Sequence, residues 1–114
     1  MNNKLRKAKL DAQDTRIARR FKKKLRQRLE ILSLTVFGSR ARGDASPESD
    51  MDVFIEVPVL TPDVRTAISE AAWEVSLDSG VVVSTIVTTP DEIRDGPMGA
   101  NPLLISIERE GVPV

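Results

Sequence analysis

The chain of 114 residues contains no cysteine and no histidine. Without cysteine there are no disulfides, thiolate nucleophiles or zinc-thiolate sites; without histidine there is no imidazole base and no imidazole metal ligand. Any chemistry therefore falls to carboxylates, hydroxyls, Lys and Arg, and a metal held by such groups is a hard, oxygen-liganded cation such as Mg²⁺ rather than a transition metal. Long apolar runs are missing too. None approaches membrane-spanning length, and the N-terminus is charged where a signal peptide is apolar, so a cytoplasmic protein with no membrane partner is expected.

What is present is enough apolar residue, 40% of the chain, for one modest core and not for two, which predicts a single domain over residues 1–114. The net charge of zero is the sum of two opposed parts. Residues 1–30 hold twelve Lys/Arg against three Asp/Glu, net +9, and the remainder is net −9. Such polarity either steers a polyanion or acidic partner to one end or is simply the solvated face of a helix.

Residues 1–9 (MNNKLRKAK) read as a frayed end, with a basic helix at about 11–30 becoming firm near Asp11 or Asp14, where acidic residues suit a helix N-terminus. Ile17, Phe21, Leu25 and Leu29 recur every four residues as one apolar stripe among eight basic residues. Residues 31–37 (ILSLTVF) read as a buried strand running into a turn at Gly38-Ser39. A short helical turn at 40–42 and a polar loop at 43–47 follow. Residues 51–57 (MDVFIEV) alternate, with Met51, Val53, Ile55 and Val57 on one face and Asp52, Phe54 and Glu56 on the other. Thr61-Pro62 opens a helix with Val64, Ile68, Ala71, Ala72 and Val75 as its stripe, closed by Gly80. Residues 81–87 (VVVSTIV) are the most β-prone stretch and are expected mid-sheet. Asn101-Pro102 caps a last helix bearing Leu103, Leu104 and Ile107, ended by Gly111. The expected fold is α/β, a small mixed β-sheet flanked by helices.

Phosphoryl and nucleotidyl transfer require donors that cradle phosphates and carboxylates that hold the cations bridging phosphate oxygens. Gly38 permits close main-chain approach, and Ser39 adds a hydroxyl at the start of a helical turn whose free N–H groups attract anions. Asp50 and Asp52 lie two apart at a strand, so both side chains leave one face and can converge on one or two divalent cations. Two close carboxylates repel one another unless a cation lies between them, which is a physical reason to expect metal. Either feature alone is weak: a Gly-Ser turn is common, and Ser-Asp-x-Asp often only solvates a strand start. Joined by ten residues between flanking apolar strands, they become specific.

The run 36–57, VFGSRARGDASPESDMDVFIEV, resembles the minimal nucleotidyltransferase domain of the DNA polymerase beta superfamily. The resemblance is looser over 80–88 and returns in the tail NPLLISIEREGVPV. It implies a polymerase-beta-like nucleotidyltransferase fold, with Gly38 and Ser39 binding a nucleoside triphosphate such as ATP and Asp50 and Asp52 binding Mg²⁺, in a two-metal site if a second ion is held. It also implies transfer of a nucleoside monophosphate, often AMP, to a hydroxyl. Some members of that group act as antitoxins that modify a tyrosine of a HEPN-domain toxin encoded beside them, which makes a HEPN-type protein the implied partner.

One departure follows from the comparison. The family commonly adds a third carboxylate from the next strand, and VVVSTIV has none. Ser84 is its most polar member, Asp78 lies just before it, and Glu56 sits roughly 13 Å along its own strand from Asp52, too far for a shared metal shell. Either Asp78 swings in, a partner or substrate supplies the base, or catalysis is weak. The alternative function is then a catalytically impaired nucleotidyltransferase-fold binding module that regulates a partner by contact. Arg40 and Arg42 follow the turn and either contact the triphosphate or form surface ion pairs with Asp44 or Glu48. Trp73 either stacks a base or, more in keeping with a lone Trp on an amphipathic helix, packs in the core or a partner interface. The basic helix leaves nucleic-acid binding open, although no aromatic outside the apolar stripe interleaves with its charges.

Overall fold

The structure, a computed structural model, describes residues 10–114; the expected fraying of residues 1–9 lies outside them. The basic segment forms α1 (Ala12–Arg26). Asp11 caps it by accepting a hydrogen bond from the Asp14 backbone N–H at 2.8 Å, and Lys23, Lys24 and Arg26 occupy its last turn, where cations oppose the negative end of the helix dipole. The helix stops four residues before the expected end because the Arg28 and Leu29 N–H groups both turn back to the Leu25 carbonyl. Ile17, Phe21 and Leu25 are buried, and Leu29 packs on the same core from the turn rather than from the helix.

Strand β1 (Ser33–Phe37) leads through Gly38 into the single turn α2 (Ser39–Arg42). After the polar loop come β2 (Met51–Glu56) and α3 (Pro62–Ser79), with Thr61 capping the Val64 N–H and Gly80, at φ +78°, closing the helix. Strand β3 (Val83–Thr88), α4 (Pro90–Asp95), a 3-10 turn (Pro97–Ala100), α5 (Pro102–Glu110) and a two-residue β4 (Val112–Pro113) complete the described residues. Three of these elements, α4, the 3-10 turn and β4, were not expected. The N-cap and proline signature of α4, Thr89-Pro90, repeats that of α3, whereas β4 exists only because its two residues pair with Thr35 and Val36 of β1.

The sheet order is β3-β2-β1-β4, antiparallel except for the parallel β2–β3 pair, whose crossover is α3. The mixed α/β architecture is the expected one, but β3 lies at the sheet edge and not in its middle. Its β-branched side chains report a good fit to a pleated, half-buried surface, which an edge next to β2 also provides. The middle places went to β1 and β2 because β1 pairs with β2 on one side and β4 on the other.

The two faces of the sheet differ. Leu34, Val36, Met51, Val53, Ile55 and Val83 form one cluster with Ile17, Phe21 and Leu25 of α1 and Ile68, Ala71 and Val75 of α3. Most of these side chains are wholly shielded, each contributing about 1.5–3 kcal/mol of transfer free energy if large and apolar. On the other face the register aligns Phe37, Asp52 and Ser84 in one row across β1, β2 and β3. Among the described residues no helix is long and apolar enough to cross a membrane.

Candidate active site

Gly38 adopts φ +78°, ψ −157°, a region open in practice only to glycine. A side chain is excluded there for a second reason: a Cβ on Gly38 would overlap the Asp52 carboxylate. The main chain leaving β1 thus passes directly against Asp52, and the space that glycine leaves is filled by one carboxylate oxygen. Ser39 follows as the first residue of α2, half-buried. Asp50 stands at the residue before β2, exposed, and Asp52 is half-buried one strand residue further on.

The carboxylates of this pair act on each other. Burial first, and then the charge of Asp50, push the Asp52 carboxyl above its ordinary value of 3.8, while Arg42 opposes the shift. Strand alternation placed two like charges on one side of β2, and no protein cation among the described residues pairs with either within ion-pair distance. Two hard oxygen donors repelling each other beside a glycine-only main chain fit a divalent cation, which would neutralise the pair. Among the described residues no group of three carboxylates converges to hold one. The position beside Asp52 on β3 is Ser84, exposed and one pairing step away. Asp78 is elsewhere: it lines a groove with Gln13, Arg16 and Arg20 on the α1 side, away from the face that bears Asp52. Glu56 lies four residues along β2 and faces the Ser33 hydroxyl.

The two arginines separate sharply. Arg40, expected either at a triphosphate or in an ion pair, is turned to the protein. Its Nη1 donates to Asp14 Oδ1 at 2.9 Å, Nε and Nη2 donate to the Ser49 carbonyl at 3.0 and 2.8 Å, and Nη2 also donates to the Pro47 carbonyl at 3.1 Å. The Arg40 and Asp14 side chains are 8% and 6% exposed, so a planar fork is consumed by the protein itself. What it holds is the loop end immediately before Asp50, anchored to the first turn of α1. Arg42 stays about half exposed, pairs with Asp44 at 3.3 Å and Glu110 at 3.5 Å, and is the arginine whose charge reaches Asp52. Asp14, read from the sequence only as a helix-start residue, is thus a buried anchor of the site loop. A first-turn acid gives no sign of a partner 26 residues away. Trp73 is 64% exposed on α3 and is not part of the core.

An open cleft of about 630 Å³ lined by Leu60, Arg65, Thr88 and Asn101 opens where β2 and β3 end, and includes none of the candidate site residues.

The glycine-only turn and the two carboxylates lie together at one end of the mixed sheet. The nucleotidyltransferase domain family matches residues 18–113, so the chain belongs to that family. It is also similar to two Methanocaldococcus jannaschii proteins, each provisionally named a protein adenylyltransferase. One is 40% identical over 47 residues, 41% of this chain and 54% of that protein. The other is 42% identical over 40 residues, 35% of this chain and 40% of that protein. The matched segments therefore span about half the length of these relatives or less.

Proposed function

We propose that this chain transfers AMP from ATP to a hydroxyl of a partner protein, with Asp50 and Asp52 holding Mg²⁺ and the Gly38-Ser39 turn positioning the triphosphate. The observation that carries this reading is the Asp52 carboxylate, half-buried beside the charge of Asp50 and pressed against a glycine that admits no side chain. Bound Mg²⁺ would supply charge neutralisation for the phosphate oxygens. The acceptor hydroxyl gives up its proton to solvent, its oxygen bonds to the α-phosphorus, the bond from that phosphorus to the oxygen bridging to the β-phosphate breaks, and pyrophosphate leaves. Gly38 allows the main chain close to the phosphates, Ser39 offers a hydroxyl donor, and Arg42, half exposed, is placed to meet negative charge. The names of the two archaeal relatives support the adenylyl group and a protein acceptor. Resemblance to antitoxin domains supports a HEPN-type toxin as that acceptor. Incubation with labelled ATP, Mg²⁺ and the protein encoded beside it should give label transfer that Asp50→Asn or Asp52→Asn abolishes. Equal transfer by those variants removes the assignment.

A second reading is favoured by Ser84, a residue without a usable acid at the row position beside Asp52. In it the chain is a nucleotidyltransferase-fold module that restrains its partner by contact. Restraint that survives in the Asp50→Asn/Asp52→Asn double variant supports contact, and restraint lost with the label supports transfer.

A further inference from the structure

The outer surface of α1 carries Arg16, Arg19, Arg20, Lys23 and Arg26, all exposed. Arg16, Arg20 and Lys23 are spaced four and three apart and Arg19 and Arg26 flank them, so the five share a broad face, spread over about 15 Å of helix. None of the five pairs with a carboxylate among the described residues. The two cations of this region that do, Lys24 with Glu74 and Arg28 with Glu70, lie on the side turned to α3. No acid occurs on α1 after Asp14. Asp78 borders the groove at Arg16 and Arg20 without reaching ion-pair distance. Five like charges on one rigid helix repel one another, and the described residues provide no counterion within ion-pair distance.

We infer that this face binds the phosphodiester backbone of a nucleic-acid duplex. The inference is independent of which hydroxyl the Asp50–Asp52 site serves. Charge complementarity selects a polyanion, and three features select its kind. A membrane surface is disfavoured because the apolar stripe of α1 (Ile17, Phe21, Leu25) is locked in the core and has nothing to insert. An acidic protein face is disfavoured because stable protein interfaces centre on desolvated apolar or aromatic anchors, and this surface exposes only Ala12 among apolar residues of α1. Single strands are gripped largely through aromatic stacking, and the one aromatic of α1, Phe21, is wholly buried. A regular row of phosphates needs none of these and is bound through release of its counterions.

Fluorescence anisotropy of the full chain with labelled duplex DNA and duplex RNA of unrelated sequences tests this. Saturable binding is expected at low salt, with little preference among sequences. Four or five phosphate contacts predict a fall in affinity of roughly 100- to 500-fold when salt rises about fourfold. Arg19→Gln/Lys23→Gln should weaken binding and flatten the slope of log K against log salt by about two. Both side chains are exposed and unpaired, so the variant should melt like the parent, which a thermal scan verifies. Arg94→Gln/Arg109→Gln removes the same charge from α4 and α5 and should leave binding unchanged. Absence of saturable duplex binding overturns the inference, as does equal weakening by the two double variants. Retention on phosphatidylserine–phosphatidylcholine vesicles, or on poly-glutamate, with no duplex binding also overturns it.

Discussion

The same strand, β2, serves two surfaces under opposite physical rules. Met51, Val53 and Ile55 point into the α1–α3 layer and are wholly buried among apolar neighbours. Asp52, between them in sequence, points the other way into a place where burial and a like charge both work against its ionisation. A polypeptide with a side-chain period of two can thus place its most satisfied and least satisfied residues on adjacent positions. The stable face holds the backbone rigid enough to keep the unstable one in place, and the unfavourable charge pair is the feature a bound cation would relieve.

The largest test of this contrast is Asp52→Asn. If the pair holds the catalytic cation, label transfer should fall by at least about a thousandfold, the loss of several kcal/mol of charge stabilisation. The same variant should be no less stable than the parent in metal-free buffer. The sign follows from the raised Asp52 value: the folded state binds its proton more tightly, so the stabilisation this gives is complete below about 3.8, the ordinary value, and is lost as pH rises through the folded value. Asp52→Asn should lack that decline in denaturant midpoint, and Mg²⁺ should raise the midpoint of the parent but not of the variant. A variant that is both inactive and strongly destabilised would show that Asp52 belongs with the packed face after all.

Ile55→Ala, three residues on and facing inward, should do the reverse, costing about 2–5 kcal/mol in urea unfolding while transfer per folded molecule stays close to the parent's. Arg40→Met couples the two regions. Removing one partner of the buried pair leaves Asp14 uncompensated, at a cost of about 3–5 kcal/mol. Adding Asp14→Asn should recover part of that stability without restoring transfer, because the Pro47–Ser49 carbonyls lose their donor in both variants. Recovery of both together would mean that Arg40 does nothing for the loop bearing Asp50. The smallest effect is expected from Ser84→Asp, which sets a third carboxylate beside Asp52. It should tighten Mg²⁺ binding by about tenfold, worth 1.4 kcal/mol, as read by calorimetry, and lower stability slightly when metal is withheld.

Much of this arrangement was legible beforehand, and the reasons differ element by element. The α1 stripe, the alternation of residues 51–57 and the Thr61-Pro62 to Gly80 helix are local patterns, so period and capping chemistry were enough. Gly38, Ser39, Asp50 and Asp52 could be picked out because a backbone-only turn and a same-face acid pair are written in residue type and spacing. The role of Arg40 stayed open because an arginine beside a candidate phosphate turn looks the same whether it faces ligand or protein. Its partner, Asp14, is 26 residues earlier, and only the packing of α1 on the site loop brings them together. The edge position of β3 was hidden for a similar reason, since β-propensity describes a residue's fit to a pleated surface and says nothing about which strands lie on either side.

The amino-acid sequence by itself therefore determined the local units and the chemistry available: no thiol or imidazole, two carboxylates in phase, and one glycine where nothing larger is tolerated. These follow from covalent structure and short-range sterics. The tertiary structure alone decided which groups face each other: Gly38 against Asp52, Ser84 beside it in the row, Arg40 committed to Asp14, and five α1 cations left outward without counterions among the described residues. Those pairings depend on strand register and helix packing between residues distant in the chain, and no local periodicity encodes them.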